Sequence, residues 1–175
     1  MPLPTFSQRV LAIDPSLRST GYAVLERAGP GKLRSLAFGV IKNPDRMLQS
    51  GCLVAIRERV SDLVAEFQPD SAAFEAIIYV QSFRTAIIMG CARGAALLAA
   101  AEKGLPVYEY APRRVKQAIV GRGGADKSQV GFMVRALLGL TETPPSDAAD
   151  ALAIGMTHFQ TSETVRNGVG ELTQI

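Results

Sequence analysis

The stretch Val10-Leu11-Ala12-Ile13-Asp14-Pro15-Ser16-Leu17-Arg18-Ser19-Thr20-Gly21-Tyr22-Ala23-Val24-Leu25 decides how the rest of the chain is read. Val10–Ile13 is an unbroken apolar run closed by an acid and a proline, the pattern of a strand buried on both faces. Pro15–Thr20 is a turn-rich loop, and Gly21–Leu25 resumes the strand pattern, so the two runs predict an antiparallel pair. Leu33 to Ile41 adds a third strand and completes a meander. Leu48, Cys52, Ile56, Val60, Leu63, Val64 and Phe67 then recur at helical spacing through a charged segment that ends at Pro69-Asp70. Ser71-Ala72-Ala73-Phe74 follows as a second apolar run, also closed by an acid, Glu75. A helix between two such runs is a crossover, which makes the second parallel to the first.

The remainder alternates helix and strand. A long helix is expected from about Phe83 to Lys103, with Gly104 ending it, and Pro106–Tyr110 supplies a fifth strand. Pro112 suits the first turn of a short helix through Val120, Gly121–Gly124 is a break, and Lys127 to about Leu138 is helical. Pro144-Pro145-Ser146 stops the chain, with Ser146 expected as the N-cap of a last helix beginning Asp147-Ala148-Ala149-Asp150. The order predicts an α/β fold of the ribonuclease H-like kind, a mixed five-stranded sheet flanked by helices. Residues 1–8 read as a short extension, 9–160 as the ribonuclease H-like domain and 161–175 as a polar, loosely ordered tail.

Composition narrows the function. With 175 residues, 47% of them hydrophobic and 20% charged, the chain can build one substantial core. The N-terminus lacks the basic flank and apolar stretch of a secretory signal, so a cytoplasmic location is expected. The most apolar segment, Ala86–Ala101, is broken by Arg93 and reads as too short to span a bilayer, which predicts no membrane role. Cys52 and Cys91 stand alone, excluding a zinc site and reading as small buried residues. The net charge is only +3, but Arg113, Arg114, Lys116, Arg122, Lys127 and Arg135 occupy one segment with a single acid, Asp126, leaving the rest of the chain near −2. Such asymmetry suits a polyanionic partner, although a solvated helix face gives the same charge run.

Four acids carry the chemistry. Asp14 and Glu75 close adjacent strands at the end where open sheets hold ligands, and Asp147 and Asp150, three residues apart, share one side of a helix. If that helix crosses the sheet near both strand exits, the four converge, and bound cations must neutralise their repulsion. Oxygen-only ligands select a hard cation, Mg²⁺, with Mn²⁺ as a substitute. Two ions about 4 Å apart would activate water and stabilise the departing oxygen of a phosphodiester. Asp14 is the expected bridging ligand, with Lys127 stabilising transition-state charge and Lys116 holding a neighbouring phosphate. Taken singly, Asp14-Pro15 is also a turn-initiating pair, Glu75 a surface acid, and Ser146 with Asp147 a helix cap. His158, about 12 Å along the helix from Asp150, is left outside the site.

These residues resemble the RuvC family of Holliday-junction resolvases. Ile13-Asp14-Pro15 with Thr20-Gly21-Tyr22 resembles the family's first motif, and Ala92-Arg93-Gly94 its central helix. Tyr110-Ala111-Pro112-Arg113-Arg114-Val115-Lys116-Gln117 resembles its basic segment, which Gly121 and Lys127-Ser128-Gln129-Val130 continue. Asp147-Ala148-Ala149-Asp150-Ala151-Leu152-Ala153-Ile154 is close to its most recognisable signature, and the similarity runs from about Val10 to His158. The resemblance implies that Asp14, Glu75, Asp147 and Asp150 are metal-binding catalytic acids and that Lys116 and Lys127 serve the scissile strand. It also implies a homodimer that cuts opposed strands of a four-way DNA junction beside a branch-migration motor. Arg113, Arg114 and Arg122 join the lysines as expected DNA contacts.

Two positions depart from the pattern. Three residues after the acid, where the family carries a junction-contacting aromatic, this chain has Ile78, with Tyr79 one place later; a one-residue shift reverses the face of an extended chain. Ser16 stands where the family has glycine after Asp-Pro. Three other readings compete: a catalytically inactive dimer that binds branched DNA, a nuclease acting on another branched or hybrid nucleic acid, and an actin-like nucleotide-binding fold, which needs far more chain.

Overall fold

A computed structural model describes residues 8–78 and 82–175. Its five strands are β1 (Arg9–Asp14), β2 (Ser19–Gly29), β3 (Lys32–Lys42), β4 (Ser71–Glu75) and β5 (Val107–Tyr110). They form one sheet in the order β3-β2-β1-β4-β5. β1 and β2 pair antiparallel, as do β2 and β3, whereas β4 runs parallel to both β1 and β5. The helices are α1 (Gln49–Phe67), α2 (Phe83–Glu102), α3 (Pro112–Val120), α4 (Lys127–Leu138) and α5 (Ser146–Arg166). This is the mixed, ribonuclease H-like sheet that the order of sequence elements predicts.

The central strand β1 shows why its sequence is a run rather than an alternation. Val10 and Ala12 face a core shared with Ala23, Leu25, Val115, Val130, Leu152 and Ile154. Leu11 and Ile13 face a second core with Ile56, Leu63, Phe74, Ala92 and Ala96. Each strand residue therefore removes apolar surface from water on one side or the other, worth about 25 cal/mol per Å². One layer is α1 and α2; the other is α3, α4 and α5. Helix α5 is buried over most of its length, from Ala148 to Ser162, because it lies between the sheet and α3 and α4.

Several local expectations change. Helix α2 is 20 residues long and apolar enough, by length and composition, to cross a bilayer, so the apolar segment is longer than the expected Ala86–Ala101. It is instead tied to the fold: Ala92, Ala96, Ala99 and Ala100 are buried, and Arg93 forms an ion pair with Glu109 of β5. Pro145, not Ser146, occupies the N-cap of α5, without a side-chain hydrogen bond. Cys91 is only half-buried, unlike Cys52. α5 continues past residue 160 to Arg166, with Thr161 and Ser162 buried, and the end of the chain returns to β5, where the Ile175 N–H donates to the Val107 carbonyl at 3.0 Å.

Candidate metal centre and nucleic-acid cavity

Asp14 stands at the last position of β1, where the register pairs it with Gly21 of β2 and sets Ile13 beside Phe74, one residue before Glu75. The parallel crossover thus delivers both acids to the same edge of the sheet. The first turn of α5 crosses that edge. Ligand oxygens of Asp14, Asp147 and Asp150 all lie within 4.8 Å of one another, and all three residues are half-buried. Glu75 falls outside that tight group but lines the adjoining cavity of about 250 Å³ with Asp14, Asp150, Pro112, Val115, Lys116, Lys127 and Val130.

The electrostatics follow from the crowding. Burial, then the charges of Glu75, Asp150 and Asp147, pushes the Asp14 carboxyl up from 3.8 to about 7, with Lys127 opposing. Burial and Asp150 raise Glu75 as well, against Lys127 and Lys116. Lys127, at the start of α4, donates from Nζ to Asp150 Oδ2 at 3.0 Å, which holds the ammonium above its ordinary range. The Asp126 side chain accepts from the Gln129 N–H and the Gln129 side chain accepts from the Asp126 N–H, a reciprocal cap that fixes the helix start carrying this lysine. Two ammoniums, Lys127 and Lys116, set against four converging acids leave negative charge to be balanced. An all-oxygen donor set with that deficit fits a hard divalent cation.

The basic residues separate by helix face. Lys116 lines the acidic cavity, whereas Arg114, two positions earlier and so across the helix, reaches Thr161 Oγ1 at 3.2 Å and lies 6.0 Å over the Tyr110 ring. Arg113, Arg114 and Arg122 are all exposed. Ile78 is exposed just beyond Glu75, and Tyr79 lies outside the described residues.

His158 is fully buried. Its Nδ1 is 2.8 Å from the Tyr110 hydroxyl and its Nε2 3.3 Å from Ser71 Oγ, at the opposite end of β4 from Glu75. Burial, with Arg27, lowers it to about 4, so it is neutral near pH 7. Sequence reasoning missed Ser19, whose hydroxyl donates to Asp147 Oδ2. A lone serine at a strand start carries no signal in sequence.

The chain matches the family described as crossover junction endodeoxyribonuclease RuvC over residues 10–158. A protein of that name from Akkermansia muciniphila is 53% identical over 158 residues, covering 90% of this chain and 94% of the relative. One from Chloroflexus aggregans is 45% identical over 159 residues, covering 90% and 96%. Among solved structures, Thermus thermophilus RuvC in complex with a Holliday junction substrate superposes with a TM-score of 0.86 at 36% identity, covering 96% of this chain and 99% of that one. The yeast mitochondrial Holliday junction resolvase Ydc2, at 14% identity and a TM-score of 0.68 over 95% of this chain and 83% of its own, shares the fold. With the family's description matched across most of its length and close relatives covered almost end to end, this chain belongs to the RuvC family of crossover junction endodeoxyribonucleases.

Proposed function

We propose that this protein is a divalent-cation-dependent endonuclease that resolves four-way DNA junctions by paired, symmetric nicks in recombination and repair. The observation that carries the reading is the convergence of Asp14, Asp147 and Asp150 within 4.8 Å beside a cavity lined by Glu75 and two lysines. Asp14, Asp147 and Asp150 hold the cation, with Glu75 as a further ligand from the cavity wall. Mg²⁺ is the proposed ion, two per site, with Mn²⁺ able to substitute; when bound it supplies Lewis-acid stabilisation of a phosphodiester oxygen and an activated water.

The chain's own groups orient the strand. Lys116 offers an ammonium to a phosphate on the cavity wall, and Lys127, paired to Asp150, carries charge that offsets the negative charge growing on the phosphoryl oxygens. Arg113 and Arg122 are free to meet the backbone further out, while Arg114 acts through the α3–α5 seam. Ile78 and Tyr79 are the proposed junction contacts beyond Glu75.

Cutting two opposed strands calls for two sites, and a homodimer supplies them. Its proposed contact is the outer face of α2, where Phe83, Ile87 and Leu98 are exposed around Gly90 and Gly94. Helical spacing puts all five on one stripe. A branch-migration motor is the proposed partner and the cytoplasm the proposed location, both on family resemblance. One nuclease domain from residue 9 to the end of α5, preceded by a short extension, is the proposed working unit.

The test is cleavage of a labelled mobile junction by wild type and Asp14→Asn in Mg²⁺, with cuts mapped on all strands. Symmetric nicks from wild type, and a variant that binds but does not cut, are expected. Binding without cutting by wild type across Mg²⁺ and Mn²⁺ would favour the non-catalytic binding dimer.

A further inference from the structure

We infer that the entry of β2 is a seat for Asp147, and that Ser19 and Gly21 are positioning residues that set this acid at the distance a cation requires. The inference rests on the reading of Asp14, Asp147 and Asp150 as cation ligands. Gly21 has an ordinary backbone conformation, so its glycine is not needed for a positive φ. What it supplies is space. A Cβ there would lie 1.9 Å from the Asp147 carbonyl oxygen, 2.5 Å from the carbonyl carbon and 3.2 Å from the Ala148 nitrogen. All three are backbone atoms, which cannot rotate aside as a side chain can. Since ordinary contact begins near 3.4 Å, any larger residue obliges the first turn of α5 to retreat by roughly 1.5 Å.

That retreat acts directly on the site. Gly21 is the register partner of Asp14, so the point where α5 touches the sheet is the point where the strand acid meets the helix acids. Lifting Asp147 spreads a group whose oxygens lie within 4.8 Å. Mg²⁺ demands near-ideal octahedral geometry, and a ligand about 1 Å out of place is lost to it. Ser19, two residues earlier on the same strand, adds the second restraint: its Oγ donates to Asp147 Oδ2 and fixes the carboxylate rotamer. Two residues on one strand entry thus fix the backbone and the side chain of one ligand.

Helix α5 contains its own control. Gly155, further along the helix, is also tight against the sheet: a Cβ there would lie 2.8 Å from Leu25 Cδ1 and 3.2 Å from Ala12 Cβ. A substitution at Gly155 strains the same helix–sheet contact away from the acids. If Gly21 served packing alone, the two glycines would behave alike.

The experiment is calorimetric titration of Mn²⁺ into the full-length protein, with the Mg²⁺-induced shift in Tm and junction cleavage kinetics alongside, for wild type, Gly21→Ala, Gly155→Ala, Ser19→Ala and Ser19→Thr. Gly21→Ala and Ser19→Ala should weaken Mn²⁺ binding by about tenfold or more, the usual scale for loss of a group that orients a ligand. Gly155→Ala should lose Tm but keep wild-type Mn²⁺ affinity, and Ser19→Thr, which retains the hydroxyl, should restore it. Cleavage should fall in kcat with KM for the junction unchanged. Wild-type Mn²⁺ affinity in both Gly21→Ala and Ser19→Ala, or equal loss in Gly155→Ala, overturns the seat while leaving the metal centre standing. If Gly21→Ala does not fold, the Ser19 pair decides. Failure of wild type to take up Mn²⁺ overturns the metal centre itself, and the seat with it.

Discussion

Replacing Asp14 with Asn should make the cation-free protein more stable at pH 8 and leave it nearly unchanged at pH 4. The Asp14 carboxyl rises from 3.8 to about 7 on folding, through burial and the charges of Glu75, Asp150 and Asp147. Between those values the folded state holds a proton that the unfolded state has released, so stability is fully present below pH 3.8 and falls as pH climbs to 7. The shift of about three units corresponds to roughly 4 kcal/mol at 1.36 kcal/mol per unit. Burial is the larger cause and the neighbouring charges the smaller; because the Asp14 carboxyl is only half-buried and solvent screens both, about half of that figure, ~2 kcal/mol, is assigned to removing its charge. For a chain of this size that is a rise in Tm of roughly 4–8 °C.

His158 titrates in the same interval with the opposite sign. Its value falls from 6.5 to about 4 on folding, so its contribution is present above 6.5 and is lost as pH drops through 4. Wild-type Tm alone therefore blends two opposed slopes, and the difference between wild type and Asp14→Asn isolates the acid. The assay is thermal unfolding by circular dichroism in EDTA at pH 4, 5, 6, 7 and 8. Added Mg²⁺ should then reverse the order by stabilising wild type more than the variant. An Asn variant that melts at or below wild type at pH 8 in EDTA, or a gap that does not narrow towards pH 4, would refute the account of a repulsive, cation-dependent cluster.

Lys127→Ala should lower the cleavage rate by about a hundredfold, the scale of one electrostatic donor, while gel-shift binding of the junction is kept; an unchanged single-turnover rate would remove Lys127 from the site. His158→Gln should flatten the loss of Tm between pH 6.5 and 4, measured by calorimetry, and should not change the Mn²⁺ affinity. Ile87→Asp, on the exposed stripe of α2, should yield a monomer by analytical ultracentrifugation that still binds Mn²⁺; a persistent dimer would move the interface elsewhere. Phe74→Ala, in the fully buried core beneath α1 and α2, should cost about 3–5 kcal/mol by urea unfolding.

The sheet was readable because burial on both faces leaves a signature that no amphipathic surface element shares. Val10–Ile13 and Ser71–Phe74 are apolar at every position except Ser71, and the helix between them requires parallel pairing, so the shared edge of Asp14 and Glu75 follows from local pattern and connectivity. The pairing of Asp147 with Asp150 follows from the helical repeat. Lys116 and Arg114 are separated by the same repeat, but which side meets the cavity depends on where α5 packs against α3. Residues 161–166 of the expected tail are helical for a related reason. Its polar composition suits disorder in an isolated segment, yet the Thr161 hydroxyl donates to the Thr157 carbonyl and the Ser162 hydroxyl to the His158 carbonyl, so polar residues are buried without cost in unpaired groups.

By itself, the amino-acid sequence determined the strand and helix order, the five-stranded mixed sheet, the four acids and the basic segment, because each rests on a period or a spacing that neighbouring residues enforce. The tertiary structure alone decided how closely α5 approaches β2, that Ser19 holds Asp147, that His158 sits between Tyr110 and Ser71, and which cations face the acids. A period specifies the direction in which a side chain points. The distance at which it arrives is set by the volumes of residues on several elements packed together, and that sum exists only in the folded chain.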